Sequence, residues 1–327
     1  MNPLDFEGSW LYGPKTFAEV TGRTKLWSQK RPAQGDIETQ LQSCPLCGEE
    51  DDDAEHLFVS KDTWSYARCK VCGMVYQPVV PTPSALAAYY EGGGAPSDWV
   101  KFTQQHQLEV ELDKRKFRWL LELAGWPGDF QAVLDVGCST GTGLEVACEM
   151  MGDKHTVSAG VEVNSDARLV ARDRLENRYG TELYSTLDQV SLPSNEPQLV
   201  ILSEVLEHVL NPIELLKDVA PQKGTVIITV PNMHSMAARV LHEKAPMFGL
   251  GHLSLFAPET LRQMILQVMP DAKVKFYSMI SWAKELSNHY NFKGPMAEDK
   301  PDPMHFNPTE ILRTLSGYKL VAVAKMP

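Results

Sequence analysis

The stretch that decides the fold is residues 133–143, which read Val133-Leu134-Asp135-Val136-Gly137-Cys138-Ser139-Thr140-Gly141-Thr142-Gly143. An apolar run with one aspartate leads into a turn that holds three glycines. A strand that ends in a glycine-rich turn and opens a helix predicts the first strand–helix junction of an α/β sheet. Because glycine lets a ligand come close to the backbone, this junction is also the expected ligand site.

The sequence after this stretch repeats the alternation of strand and helix. Short apolar runs cover residues 132–136, 157–163, 199–202 and 225–230, and amphipathic segments of helical length cover residues 143–151, 166–179, 212–219 and 258–268. Strands of a parallel sheet are covered by helices on both faces, so they appear as continuous valine, isoleucine and leucine runs. The alternation predicts a doubly wound, Rossmann-like α/β domain over residues 132–327, with later strands at 273–280 and 318–324.

Composition narrows the class of protein. A chain of 327 residues with 43% hydrophobic residues is long enough for about two domains with a substantial core. Thirty-one basic and 42 acidic side chains give a net charge of −11, which argues against a broad surface for nucleic acid. The sequence has neither an apolar run of membrane-spanning length nor a signal-peptide pattern at its start, so we expect a cytoplasmic protein without a membrane contact.

Four of the six cysteines form two Cys-x-x-Cys-Gly pairs with 21 residues between them. These four cysteines are Cys44, Cys47, Cys69 and Cys72. Four thiolates at this spacing fill a tetrahedral shell, which predicts a structural Zn²⁺ in a small N-terminal zinc-ribbon domain over residues 44–83. A pair of redox dithiols is the alternative, but it needs a thioredoxin-like strand and helix that this stretch lacks.

Three further segments surround these domains. Residues 1–43 hold scattered aromatic side chains and predict an arm that lies on another domain. Residues 84–131 predict a helical connector, with a triple glycine at 92–94 between two helical patterns. Residues 281–314 form an aromatic and proline-rich insertion, which we interpret as a substrate lid; a surface excursion packed on the ribbon or on a second subunit is the alternative.

Several ordered motifs carry a resemblance to a known family. The pattern Asp-x-Gly-x-Gly-x-Gly is met by Asp135, Gly137, Ser139 and Gly141, with serine at the middle glycine. Glu162 follows at the end of the second apolar run, and residues 202–209 and 223–232 match the segments after the fourth strand and around the fifth. From residue 132 to the end, the chain resembles the class I S-adenosylmethionine-dependent methyltransferases. The resemblance implies a seven-stranded methyltransferase sheet, and the ribbon is similar to a subgroup that includes sugar methyltransferases.

The resemblance also implies which residues hold the methyl donor. Asp135 would organise the turn and face the donor's amino group, and Glu162 would bind both ribose hydroxyls. Ser185 and Thr186, after the third strand, would lie at the adenine edge. The remaining donor contacts implied are Gly137, Cys138, Ser139, Gly141 and Ser203. S-adenosylhomocysteine would be the product.

Methyl transfer also needs a group that removes the acceptor's proton, and a histidine suits this at neutral pH. His208, His234 and His252 all follow the fourth and fifth strands, at the edge where such sheets bind ligands. His252 resembles the catalytic histidine of zinc-containing sugar methyltransferases and is our first candidate for the base. His208 is the second, and Glu204 belongs to the same segment. Carbon-methylating members have a glutamate before this histidine, whereas Gly251 stands here, which favours oxygen methylation.

These observations predict transfer of a methyl group to a small-molecule acceptor, the hydroxyl of a sugar, nucleotide-sugar or related metabolite. A macromolecule methyltransferase whose ribbon recognises RNA or protein is an alternative, as is a non-catalytic scaffold that binds the donor. The ribbon carries three basic and seven acidic side chains between residues 44 and 80, which argues against nucleic acid. The sequence does not predict the oligomeric state.

Overall fold

The computed structural model describes residues 34–50, 54–60, 62–91, 97–98, 100–101, 107–152, 157–193, 196–279 and 314–327. Most of the predicted arm, residues 1–33, lies outside the described residues, as does nearly all of the predicted insertion at 281–314. The lid interpretation therefore stays a prediction.

The described residues form strands and helices in the alternating order that the sequence predicts. The strands are β1 (Thr39–Leu41), β2 (Ala54–Val59), β3 (Ser65–Cys69), β4 (Val75–Tyr76), β5 (Val79–Pro81), β6 (Ala132–Val136), β7 (Val157–Val161), β8 (Glu182–Tyr184), β9 (Gln198–Ser203), β10 (Gly224–Pro231), β11 (Ser254–Leu255), β12 (Lys273–Met279) and β13 (Lys319–Lys325). The helices are α1 (Pro83–Glu91), α2 (Gln107–Ala124), α3 (Thr142–Met151), α4 (Ser165–Tyr179), α5 (Pro212–Val219), α6 (Met236–Leu241) and α7 (Pro258–Val268).

The central sheet has the strand order β12-β13-β10-β9-β6-β7-β8 among the described residues. Strands β8, β7, β6, β9 and β10 pair in parallel, and β13 is antiparallel to both of its neighbours. The predicted α/β fold with a mostly parallel sheet is confirmed. β13, the last strand in the chain, lies inside the sheet, and β12 lies at its edge. The strand order reverses between β6 and β9, where open sheets of this kind bind ligands.

Alternate residues of the strands point into two cores, one on each face of the sheet. On β6, Val133 packs with α2 and α3 side chains such as Phe117 and Leu144. The next residue, Leu134, belongs to the other core together with Leu261 of α7. Both faces are covered by helices, so all five residues of β6 are buried. This burial explains why the strand appears in the sequence as an apolar run.

The cysteine-containing segment is joined to the central domain through a second sheet of order β11-β4-β3-β2. Ser254 and Leu255 of β11 pair with Tyr76 and Val75 of β4, so this second sheet, called the ribbon below after the predicted domain, includes a strand that follows β10 of the central sheet. The short β1, from the predicted arm, pairs with β5. In the parts of the chain that are described, no helix is both long and apolar enough to cross a membrane.

Candidate active site

The turn after β6 is held in an unusual backbone conformation. Gly137 and Gly141 have φ values of +72° and +77°, and Ser139 between them has φ +50°. A Cβ at Gly137 would lie 2.7 Å from the Val205 Cγ2 atom, so the segment after β9 packs directly on this glycine. A Cβ at Gly141 would lie 2.7 Å from the Leu175 Cδ1 atom. Protein neighbours as well as backbone conformation therefore require glycine at both positions.

Glu162, the predicted ribose ligand, lies just after β7 and holds this turn in place. Its Oε2 accepts a hydrogen bond from the Ser139 N–H at 2.8 Å, and its Oε1 accepts one from the Asn164 N–H at 2.7 Å. Burial raises the pKa of the Glu162 carboxyl, while these two amides oppose the shift. Each carboxylate oxygen can accept a further hydrogen bond, so this geometry leaves acceptor capacity for two hydroxyls.

Asp135 lies at the end of β6 and is 1% exposed. Its Oδ2 atom has no hydrogen-bond partner among the described residues, and it would lie 2.7 Å from a Cβ at Gly143. Burial raises the pKa of this carboxyl to about 8, Lys116 opposes the shift, and nearby Glu162 adds to it. A buried carboxylate oxygen without a partner is costly unless a ligand supplies a donor. The site therefore fits a ligand with a cationic donor group, such as the amino group of S-adenosylmethionine.

The other predicted donor contacts lie near the same edge of the sheet. The Cys138 side chain is buried against Gly160, and its sulfur lies 4.0 Å from the Ser139 carbonyl oxygen in the turn. Thr186 is exposed, and Ser185 donates hydrogen bonds from its N–H and hydroxyl to the Gln189 Oε1 atom, both at 3.2 Å. Ser203 ends β9, and its hydroxyl lies 3.0 Å from that of Thr229.

His208 and His252, the two leading candidates for the general base, lie next to each other near the glycine turn after β6. The ring centroids of His208 and His252 are 4.9 Å apart. One ring nitrogen of each histidine and one carboxylate oxygen of Glu207 all lie within 4.8 Å of one another. Glu207 is fully buried, its carboxylate oxygens have no hydrogen-bond partner among the described residues, and burial raises its pKa to about 8. The segment that carries Glu207 and His208 packs on Gly137 through Val205.

Glu204 and His234, the other two residues considered for the catalytic role, are not members of this cluster. The Glu204 carboxylate forms an ion pair with Lys319 of β13 and accepts a hydrogen bond from the Thr229 hydroxyl at 3.0 Å. Its φ of +60° is rare for a residue with a side chain and marks local strain. His234 is half exposed, and its Nε2 lies 3.9 Å from a carboxylate oxygen of Glu259.

Sequence reasoning missed two residues that shape this site. Glu207 lies inside the matched segment at 202–209 but was given no role. The Tyr90 hydroxyl lies 2.9 Å from the His208 Nδ1, and the Tyr90 carbonyl accepts a hydrogen bond from the Asn164 side chain at 2.9 Å. Tyr90 thereby links His208 to the segment that follows Glu162. A glutamate directly before a histidine, in a short segment flanked by apolar residues, was the signal available for Glu207.

The four predicted zinc ligands converge at the ribbon end of the molecule. Their sulfur atoms all lie within 4.8 Å of one another, and two of the pairs are 3.5 Å apart. Four thiolates bound tetrahedrally at about 2.3 Å would have sulfurs about 3.8 Å apart, so the geometry fits Zn²⁺. Gly48 and Gly73 have φ values of +79° and +76°, which form the tight turns after each pair.

Comparison with known proteins identifies the class that this fold and site define. Residues 105–268, half of the chain, match the family model described as a methyltransferase domain, and the chain belongs to this family. It is therefore a methyltransferase enzyme. The prediction of methyltransferase activity is confirmed. The comparison with curated proteins gave no match.

Three solved structures are similar to this chain at low identity. A SAM dependent methyltransferase from Archaeoglobus fulgidus is 18% identical, with a TM-score of 0.46, and the match covers 70% of this chain and 99% of that one. A putative methyltransferase solved with the Haloferax volcanii Trm112 methyltransferase activator is 15% identical, with a TM-score of 0.47, covering 70% and 95%. A possible histamine N-methyltransferase from Thermotoga maritima is 12% identical, with a TM-score of 0.45, covering 70% and 96%.

Proposed function

We propose that this enzyme transfers the methyl group of S-adenosylmethionine to a hydroxyl of a small-molecule acceptor, a sugar or related metabolite. The observation that carries the proposal is the buried Asp135 oxygen that has no hydrogen-bond partner in the described part of the chain, beside the glycine turn and at the point where the strand order reverses. Asp135, Gly137, Gly141 and Glu162, which we call the donor side, would hold the donor's amino group, methionine part and ribose.

The chemistry needs few further groups. The sulfonium already carries a good leaving group, so the enzyme mainly aligns the acceptor oxygen with the methyl carbon and assists loss of the hydroxyl proton. Glu207, His208 and His252, which we call the acceptor side, pack against the donor side through Val205. In this proposal, His252 is the general base and His208 is the second candidate.

We assign Zn²⁺ at the four cysteines a structural role, because four thiolates leave no open coordination position. A small-molecule acceptor is favoured over RNA or protein by the packing of the ribbon. Its strand β4 pairs with β11, and Tyr66 of β3 hydrogen-bonds to Gly249 in the loop that carries His252. This face of the ribbon therefore supports the acceptor side.

The acceptor class is tested by release of S-adenosylhomocysteine from full-length protein given free sugars, nucleotide-sugars, RNA or protein fractions. We expect turnover with a hydroxylated small molecule and a methyl ether in the product. Transfer of the labelled methyl group to RNA or protein, with none to the small molecules, would contradict the proposal.

The assignment of Asp135 predicts a pH-dependent affinity for the donor product. In the free site the carboxyl has a pKa of about 8, and a cationic amino group would stabilise its ionised form. The affinity for S-adenosylhomocysteine should therefore fall below this pKa, by up to about tenfold per pH unit, and reach a plateau above it. Calorimetry between about pH 6 and pH 9 measures the slope and the proton released on binding.

Asp135→Asn should remove this pH dependence and weaken binding by about 10- to 100-fold on the plateau, because it removes a charge-assisted hydrogen bond. Asp129→Asn is the matched control, since this exposed carboxyl precedes the same strand. Wild-type affinity that does not vary with pH would show that Asp135 does not bind the amino group.

A further inference from the structure

The acceptor side combines ligands from two segments that are far apart in the sequence. Glu207 and His208 lie in the short 3-10 turn Leu206–His208, and His252 lies in the loop before β11. The Leu253 N–H donates a hydrogen bond of 2.7 Å to the Glu207 carbonyl, which joins the two segments. The three side chains are therefore held together by backbone structure.

The backbone also sets the tautomers of both histidines. The Nδ1 of His252 lies 2.6 Å from the Met247 carbonyl oxygen, and the Nδ1 of His208 contacts the Gly251 carbonyl oxygen. A carbonyl can only accept, so these contacts favour a hydrogen on each Nδ1 and the lone pair on each Nε2, with the Tyr90 hydroxyl, 2.9 Å from the His208 Nδ1, as a second acceptor. Metal-binding histidines are oriented in this way by backbone carbonyls.

Glu207 supplies a carboxyl oxygen on the Nε2 side of His208. Its Oε1 lies 3.7 Å from the His208 Nε2, which is beyond hydrogen-bond distance. Both oxygens of this fully buried carboxyl lack a hydrogen-bond partner among the described residues, and a cation between the carboxyl and the imidazole would satisfy both groups.

We propose that Glu207, His208 and His252 bind one divalent first-row transition-metal ion. Two imidazoles and one carboxylate are a ligand set used by zinc enzymes and by non-haem iron enzymes, and such sites keep coordination positions open for substrate. Bonds of about 2.1 Å place neighbouring ligand atoms about 3.0 Å apart and opposite ones about 4.2 Å apart. The separations of up to 4.8 Å reach these values with small side-chain movements.

The geometry fits metal ligation better than a histidine base with a carboxylate partner. In a base of that kind, the carboxylate accepts the hydrogen of one ring nitrogen and the other nitrogen takes the substrate proton. Here backbone carbonyls lie at both Nδ1 atoms, and Glu207 lies near the nitrogen of His208 that would have to accept the proton.

The role of the ion in catalysis rests on the proposed function. An acceptor hydroxyl bound to the cation would lose its proton to solvent more easily, since a bound cation lowers the pKa of its oxygen ligands. The resulting oxygen anion would form the bond to the methyl carbon. The carbon–sulfur bond would break, and the sulfur would keep the electron pair as S-adenosylhomocysteine leaves.

The test measures metal binding directly on full-length protein whose cysteine site is already loaded with zinc. Mn²⁺ is the probe because it prefers nitrogen and oxygen ligands to thiolates. We expect the wild type to bind one Mn²⁺ in an electron paramagnetic resonance titration and to retain water on the bound ion. His252→Ala and Glu207→Gln should each weaken binding by at least about tenfold.

His234→Ala is the control, since this half-exposed histidine at the same edge of the sheet lies outside the cluster. Unchanged zinc content and S-adenosylhomocysteine affinity would show that the variants are folded. Failure of the wild type to bind Mn²⁺ and a second equivalent of Zn²⁺ would overturn the metal site and leave the histidine base. Metal binding without S-adenosylhomocysteine binding would instead overturn the proposed function.

Discussion

The donor side and the acceptor side are built in different ways. The four donor-side residues lie within residues 135–162, and the turn is held by backbone conformation and by two amides on Glu162. The acceptor side joins Glu207 and His208 to His252, 44 residues later, and its loop is hydrogen-bonded to Tyr66 of the ribbon.

The two sides should therefore depend on different parts of the structure. The donor side should persist wherever the central sheet and α3 persist, because its hydrogen bonds are local. The acceptor side depends on ribbon residues that are distant in the sequence, so it should fail first when the ribbon is damaged. The predictions below test this dependence.

Loss of a zinc ligand should have the largest effect. Structural zinc contributes about 10 kcal/mol or more to folding in small zinc domains, and the buried Cys69 is one of the four proposed ligands. Cys69→Ser should therefore remove zinc, lower the unfolding temperature, and increase hydrogen exchange at 65–81 and at the acceptor-side loop, 245–255. Affinity for S-adenosylhomocysteine should stay near the wild-type value at temperatures below unfolding.

Cys148→Ser is the matched control, because this buried cysteine lies outside the zinc cluster and its sulfur faces the hydroxyls of Ser158 and Thr181 at 3.8 Å. It should keep zinc and the protection of residues 245–255. Loss of S-adenosylhomocysteine affinity together with zinc would contradict the expectation that the donor side is independent of the ribbon. It would mean that the core shared by the ribbon and the central sheet carries the donor side as well.

The same difference explains how much could be predicted from the sequence. The glycine turn after Asp135 and the paired cysteines are local patterns, so spacing alone located both. The β4–β11 pairing could not be predicted, since each strand has two residues and they lie about 180 positions apart. Glu207 was missed because its importance comes from the burial of its carboxylate beside His252, which depends on tertiary structure.

A substitution at Gly141 tests whether protein packing requires glycine in the donor turn. Gly141→Ala should lower the free energy of unfolding by about 2–5 kcal/mol, from the positive φ and from the contact with Leu175. Gly180→Ala is matched in φ, at +66°, but a Cβ there meets nothing within 4 Å, so only the conformational cost of about 1–2 kcal/mol should remain. Equal losses in urea unfolding would mean that contact with Leu175 is unimportant.

Tyr66→Phe should have the smallest effect and tests the acceptor side alone. The Tyr66 hydroxyl accepts hydrogen bonds of 2.9 Å from the Gly249 N–H and from the Gln77 side chain, and both donors would lose a buried partner. We expect a loss of about 1–3 kcal/mol in the free energy of unfolding and faster hydrogen exchange at residues 245–255.

The matched control for Tyr66→Phe is Tyr184→Phe, whose hydroxyl donates a hydrogen bond to the exposed Glu182 carboxylate. It should change the unfolding free energy by less than about 0.5 kcal/mol. Because Tyr66 lies on the ribbon strand that ends at Cys69, faster exchange at 245–255 with unchanged S-adenosylhomocysteine affinity would place the support of the acceptor side in the ribbon. Unchanged exchange at 245–255 would instead show that β4–β11 pairing and packing hold that loop without the Tyr66 hydroxyl.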